Sequence, residues 1–384
     1  MNFTSAWRCR PASNFEKLDQ VGEGTYGNVF KARERITKVV FAMKKIKMDR
    51  EKEGFPITAL REIKLLKQMD HPNIIQLKEI ITSKSPDERN PGNVYLLFEY
   101  MEHDLEGLLN MAKPRIEFTI PHLKSYMKQM LQAIEYLHSK KIVHRDIKCA
   151  NLLVNNQGQV KLGDFGLART ISGNPQETYT NRVITLWYRP PELLLGANQY
   201  SFEVDMWSAG CIIGEILARQ PMFPEGDEPK MLQKIYSICG TFNEETWPES
   251  CNLPLYDKLG PKEKIERTIQ TKYSDSSTYP NFDPLAIDLI DKLLQFNPKK
   301  RLTATQALDH PYFHTQPLPC SESELPKVEI EMHEWMVKKQ RKERQNREGQ
   351  KVQPSQYPKP PVKRPAEGPN ISPSKKPRFD EDRE

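Results

Sequence analysis

A chain of 384 residues, 37% hydrophobic and 28% charged, is long enough for two lobes and a tail and is globular in composition. No apolar run approaches the roughly 18–20 residues of a membrane helix, so no membrane association is expected. The first ten residues lack the apolar stretch of a secretory signal. The net charge of +6 hides an asymmetry: residues 335–378 hold 13 Lys/Arg against 3 Asp/Glu, so a mildly acidic body carries a strongly basic tail. Six scattered cysteines without a CxxC pair argue for reduced thiols and against a zinc ribbon or disulfide frame.

In chain order, residues 1–14 read as a flexible leader. Residues 15–48 are strand-like, with alternating apolar positions around a glycine-rich turn. Residues 56–69 read as a helix: Pro56 suits its first turn, and Ile57, Leu60, Ile63, Leu66 and Met69 recur at helical spacing. A polar loop over 82–93 precedes a buried strand over 94–100. From about 104 to 315 the pattern is mainly helical, interrupted by motif loops. An extension over 316–348 follows, with one charged helix expected over 328–348. Residues 349–384, rich in Pro, Lys and Ser, are expected to be disordered.

The glycines of Gly22-Glu23-Gly24-Thr25-Tyr26-Gly27-Asn28-Val29 let a backbone approach phosphates and aim N–H groups at them. A dinucleotide-binding turn uses nearly the same glycines, but here strand-like residues follow instead of a helix, which favours a hairpin over a nucleotide. Lys44 ends a strand-like run, one residue before Lys45, so alternation turns the two to opposite faces. Lys44 can then reach α- and β-phosphates, with Glu62 on the following helix as its counterion. Further on come His144-Arg145-Asp146-Ile147-Lys148-Cys149-Ala150-Asn151 and Asp164-Phe165-Gly166. Asp146 suits a base that orients a substrate hydroxyl, Lys148 a neutraliser of the transferring phosphoryl group, and Asn151 and Asp164 hard oxygen ligands for Mg²⁺.

Together these strings resemble the protein-kinase signature over roughly residues 15–315, with Pro190-Pro191-Glu192 in the A-P-E position. The resemblance implies an α+β bilobal protein kinase fold: a β-rich N-lobe (15–97) with one main helix, a hinge (98–104) and a helical C-lobe (105–315). It implies an ATP site of Val21, Gly22, Glu23, Gly24, Thr25, Tyr26, Gly27, Asn28, Val29, Ala42, Lys44, Phe98, Glu99, Met101, Asp104, Asn151, Leu153 and Asp164. Asp205 would brace the catalytic loop and Arg301 would pair with Glu192.

Gly54-Phe55-Pro56-Ile57-Thr58-Ala59-Leu60-Arg61-Glu62 resembles the cyclin-binding helix of cyclin-dependent kinases, in the spelling of the transcription-elongation branch: the P-TEFb catalytic subunit, the cyclin K-dependent kinases and the plant C-type. Phe55, Pro56, Ile57 and Leu60 are the expected cyclin contacts. Thr180 is the expected site of an activating kinase, with Arg61, Arg145 and Arg169 where the family gathers arginines around that phosphate. Ile184, Thr185 and Arg189 match the pocket for a proline after the target residue. Thr25 and Tyr26 match an inhibitory phosphorylation pair. Tyr26 departs from the P-TEFb subunit, which has phenylalanine there.

His333-Glu334 occupies the position of a His-Glu pair that, in the cyclin K-dependent and plant C-type enzymes, can fold back towards ATP. Lys363-Arg364 and Lys375-Lys376-Pro377-Arg378, ten residues apart, fit a bipartite nuclear-import signal and hence an import receptor and a nuclear location. Any nucleic-acid binding through this tail would be weak, since no aromatic residues interleave the basic ones. The resulting expectation is a nuclear serine/threonine kinase dependent on ATP, Mg²⁺ and a T-, K- or C-type cyclin. Its expected substrate is the heptad-repeat tail of the RNA polymerase II largest subunit, promoting elongation. The rivals are a cyclin-dependent kinase with cell-cycle or RNA-processing substrates, and a pseudokinase scaffold.

Overall fold

The computed structural model describes residues 9–24, 27–46, 55–83, 92–110, 116–174, 176–339, 341 and 342. The chain divides into two units, 1–340 and 341–384, and the architecture below is that of the first.

Five antiparallel strands form the small lobe: β1 (Phe15–Gly24), β2 (Gly27–Glu34), β3 (Val40–Lys45), β4 (Leu77–Thr82) and β5 (Val94–Glu99), in the order β1-β2-β3-β5-β4. Their inner face packs Phe15, Phe30, Ala32, Met43, Ile81 and Leu97 into a small core of its own. The register places Val29 opposite Lys44 and Ala42 opposite Phe98, lining up glycine loop, lysine and hinge across neighbouring strands. Gly27 has no alternative: a Cβ there would lie 1.8 Å from the carbonyl of Lys45.

Helix α1 spans Ile57–Leu66, shorter at both ends than the apolar spacing suggests. Pro56 stands at its N-cap, not inside the first turn: its ψ of 124° is extended, and its carbonyl accepts the Leu60 N–H at 3.0 Å. Ala59, Glu62, Leu65 and Leu66 are buried, whereas Ile57 and Leu60 remain 66% and 53% exposed.

After the hinge come β6 (His103–Asp104), α2 (Leu105–Asn110), α3 (Ile120–Ser139), β7 (Ile142–Val143), β8 (Leu152–Val154), β9 (Val160–Leu162) and β10 (Arg169–Thr170). The rest of the large lobe is helical: α4 (Pro191–Leu194), α5 (Glu203–Ala218), α6 (Glu228–Cys239), α7 (Tyr256–Leu259), α8 (Ile269–Tyr273), α9 (Pro284–Leu293) and α10 (Ala304–Leu308). Helix α5 is mostly apolar and buried from Val204 to Leu217, its few polar residues included, as befits the central helix of a lobe. Short β-pairs β6-β8-β9 and β7-β10 pin the loops between α3 and α4 to its surface.

Two segments differ from the sequence reading. The described part of the leader, Cys9–Asn14, is packed: Arg10 donates to Glu79 at 2.6–2.9 Å and pairs with Glu34. Pro11 bridges Thr82 in parallel. Two carboxylates from separate strands are enough to hold a residue that composition marks as loose.

The extension is not one helix. Residues 316–333 are irregular apart from a short turn at Glu322–Glu324, and helix resumes only at 334–339. Prolines 317, 319 and 326 deny it backbone donors. Met332 instead bridges His103, with its carbonyl accepting from Asp104 at 3.0 Å. Glu331 pairs with Lys31 of β2, so this segment touches both lobes. Thr25, Tyr26, the middle of the 82–93 loop and the nuclear-import residues lie outside the described residues.

Candidate active site

Lys44, on β3, donates to Glu62 Oε1 at 2.7 Å and to Asp164 Oδ1 at 3.0 Å. Burial alone would weaken its charge, but Asp164 and Glu62 more than reverse this and hold its pKa above the usual lysine range. Burial likewise opposes the charge of Asp164, and Lys44 overrides it, keeping the carboxylate below its ordinary range. The strand, the helix and the Asp164 loop are thus joined through one ammonium group.

Asp146 is fixed through both carboxylate oxygens. Oδ1 accepts from the Thr185 hydroxyl at 2.9 Å; Oδ2 accepts from Lys148 Nζ at 2.9 Å and from Asn151 Nδ2 at 3.0 Å. Asn151 Nδ2 also donates to the Asp146 carbonyl at 2.7 Å. Its amide nitrogen is therefore spent on Asp146, which leaves the amide oxygen as the atom available to a cation. With an Asp164 oxygen this makes a hard donor set that fits Mg²⁺.

The loop carrying Asp146 hangs from Asp205 at the start of α5. Its carboxylate accepts the backbone N–H groups of His144 at 2.9 Å and Arg145 at 3.0 Å, and His138 Nε2 lies 3.0 Å away. Burial would raise the pKa of this fully enclosed acid; the contact with His138 and the backbone donors keep it low. Arg145, Asp164 and Ile184 all have left-handed backbones, with φ of 64°, 56° and 65°. Three such non-glycine residues in one site mark strain that the surrounding bonds sustain. His144 Nε2 contacts the Gly163 carbonyl at 3.0 Å, and its ring meets the buried Phe165 edge-on, tying the two motif loops together.

Arg61, Arg145 and Arg169 meet, with Lys64, in an open cavity of about 630 Å³ that Thr180 also lines. Burial and the charges of Arg61 and Arg145 lower the pKa of Arg169. Tyr200, which the motifs did not flag, links the parts: its hydroxyl accepts from Arg145 Nη1 at 2.9 Å and donates to the Thr180 carbonyl at 2.7 Å.

Arg189 donates to the carbonyls of Val183 and Ile184 at 3.0–3.2 Å, so the Ile184 carbonyl is already occupied. Arg301 and Glu192 form a buried bidentate pair at 2.6 Å. Glu215, also unflagged, accepts from the Tyr188 hydroxyl at 2.7 Å, and burial pushes its pKa up to about 7.

Two of the residues assigned to the ATP site from sequence have side chains engaged elsewhere. Glu99 pairs with Lys161 at 3.1 Å. Asp104 caps α2 through the Gly107 N–H at 2.7 Å and accepts the Glu334 N–H at 2.8 Å. His333 is buried, with Nδ1 3.5 Å from Asp104 Oδ2.

Residues 15–313 match the protein kinase domain family, to which the chain belongs. Two curated relatives narrow the class. Cyclin-dependent kinase C-1 of Oryza sativa subsp. japonica is 47% identical over 366 residues, covering 92% of this chain and 69% of that protein. Cyclin-dependent kinase 9 of Homo sapiens is 44% identical over 319 residues, covering 81% and 83%. The crystal structure of the yeast RNA Pol II CTD kinase CTDK-1 complex contains a chain with TM-score 0.73 and 38% identity, covering 84% of this chain and 100% of that one. The chain is a serine/threonine protein kinase of the cyclin-dependent group.

Proposed function

We propose that this chain is the catalytic subunit of a nuclear, cyclin-activated kinase. It transfers the γ-phosphate of ATP to Ser-Pro and Thr-Pro sites in the heptad repeats of the RNA polymerase II largest subunit and so promotes elongation. Likeness to a chain of an RNA Pol II CTD kinase complex supports the substrate. The exposed apolar Ile57 and Leu60 on α1, whose opposite face is buried, support a cyclin there.

The observation that carries the chemistry is the fixed Asp146 carboxylate beside Lys148 and Asn151. Asp146 accepts the substrate hydroxyl proton and points that oxygen at the γ-phosphorus. The Thr185 hydroxyl steers the carboxylate, and Lys148 neutralises the phosphoryl oxygens as charge shifts. Lys44, held by Glu62, takes the α- and β-phosphates. Mg²⁺, held by Asn151 and Asp164 when bound, offsets the charge on the phosphates.

The proline requirement follows from the Ile184 carbonyl. With Arg189 occupying it, a peptide N–H at the residue after the target finds no acceptor. Proline has none to lose.

The test is transfer of phosphate from ATP–Mg²⁺ to a heptad-repeat peptide, with T-, K- and C-type cyclins and with Asp146→Asn as control. Activity that needs a cyclin and falls by about 10²–10⁴-fold in the control supports the assignment. No transfer with any cyclin, although Thr180 is phosphorylated, overturns the heptad substrate and favours another Ser-Pro target.

A further inference from the structure

The loop before α6 and the first residue of that helix hold the activation segment at two points. Trp187 Nε1 donates to the Glu225 carbonyl at 3.0 Å. Two residues on, Arg189 Nη1 donates to Glu228 Oε1 at 2.6 Å. The same guanidinium uses Nε and Nη2 on the Val183 and Ile184 carbonyls. One planar group therefore joins an acidic residue of a separate helix to the strained carbonyl that a substrate N–H would otherwise seek.

We infer that Glu228 is a specificity-positioning residue: it fixes the plane of the Arg189 guanidinium and thereby keeps the Ile184 carbonyl closed to substrate. This rests on the proline reading above. The fork geometry of arginine makes the inference directional. Nε, Nη1 and Nη2 share a plane, so anchoring Nη1 fixes where the other two point. Without the anchor, rotation of the guanidinium frees the Ile184 oxygen part of the time. Residues with an N–H after the target serine then recover an acceptor. The Arg189 side chain is 15% exposed and that of Glu228 47%, so the coupling is that of a part-exposed pair, not a buried one.

The experiment uses the cyclin-bound kinase with three heptad peptides that differ only after the target serine: proline, N-methylalanine and alanine. N-methylalanine lacks the N–H without supplying the ring, so it separates the missing donor from ring packing. The wild type is expected to use proline and N-methylalanine alike and both well above alanine. In Glu228→Gln and Glu228→Ala, the proline-to-alanine ratio of kcat/KM is expected to narrow by about two- to fivefold. The ratio is insensitive to partial unfolding, because both peptides meet the same folded fraction. An unchanged ratio in both variants, with a selective wild type, overturns the role of Glu228 alone. A wild type that does not discriminate against alanine overturns the proline reading and this inference with it.

Discussion

Glu62 Oε1 lies 2.7 Å from Lys44 Nζ, with the glutamate side chain 5% exposed and the lysine 12%. Glu62 faces inward from α1, and Lys44 reaches from β3 to both Glu62 and Asp164. A pair that aligns one phosphate contact acts as a unit. Lys44→Met and Glu62→Gln are each expected to lower kcat/KM by about 10²–10³-fold, and the double variant by little more than the worse single. The check is a double-mutant cycle on the cyclin-bound enzyme. Losses that multiply would show that the two act independently.

The arginine cavity should reverse its effect on stability when Thr180 is modified. Arg61, Arg145 and Arg169 repel one another there, and no carboxylate ion-pairs with Arg61 or Arg169 among the described residues. Arg169→Gln is therefore expected to raise the Tm of the unphosphorylated chain slightly. A phosphate adds about −1.5 to −2 charge and three acceptors, so the same substitution should lower the Tm of the phosphorylated form. Thermal melts of the four species decide it. Shifts of one sign in both states would show that Arg169 is only a packing residue.

Glu215 gives a pH signature. Its folded pKa is raised to about 7 from the ordinary carboxylate value of 4.5 by burial. A raised carboxyl contributes stability that is full below the unfolded pKa and is lost as pH rises through the folded one. Glu215→Gln keeps an acceptor for Tyr188 without a titrating proton. The variant should gain on the wild type between about pH 4.5 and 7, by on the order of 3 kcal/mol in total, and hold that margin above pH 7. Denaturant unfolding at pH 5 and pH 8 measures it, and parallel pH profiles would sink the assignment.

The catalytic loop and its metal ligands were legible in the sequence because they lie close along the chain: Asp146 to Asn151 in one loop, and Asp164 eighteen residues after Asp146. Spacing that short leaves few geometries. Tyr200, Glu215 and Glu228 were not legible, because each acts alone on a partner brought near only by the fold. The extension misled for a different reason. Val328 to Lys338 has helix-compatible periodicity, but the segment lies beside the free edge of β6, and backbone bonding of Met332 to Glu102 and Asp104 wins over helix as far as residue 333. Local propensity is a weak prior against an available edge.

That edge contact yields the last prediction. Gly107, in the first turns of α2, is in contact with the extension: a Cβ there would lie 2.2 Å from the Met332 carbonyl and 2.8 Å from the His333 nitrogen. Both are backbone atoms, so no side chain can swing aside. Gly107→Ala should be good for the helix itself, by up to about 1 kcal/mol of propensity, yet must push the extension off. With it go the Asp104–Met332 hydrogen bond, the Glu334 N–H contact to Asp104 and the Lys31–Glu331 pair. Hydrogen exchange should then quicken in residues 328–337, while the amides of α3 and α5 exchange as before. A second variant, Glu331→Gln, removes the Lys31 ion pair without touching α2 and should quicken exchange in the same segment to a smaller degree. Protection of 328–337 that survives Gly107→Ala would mean that the extension is not held on the hinge through Met332.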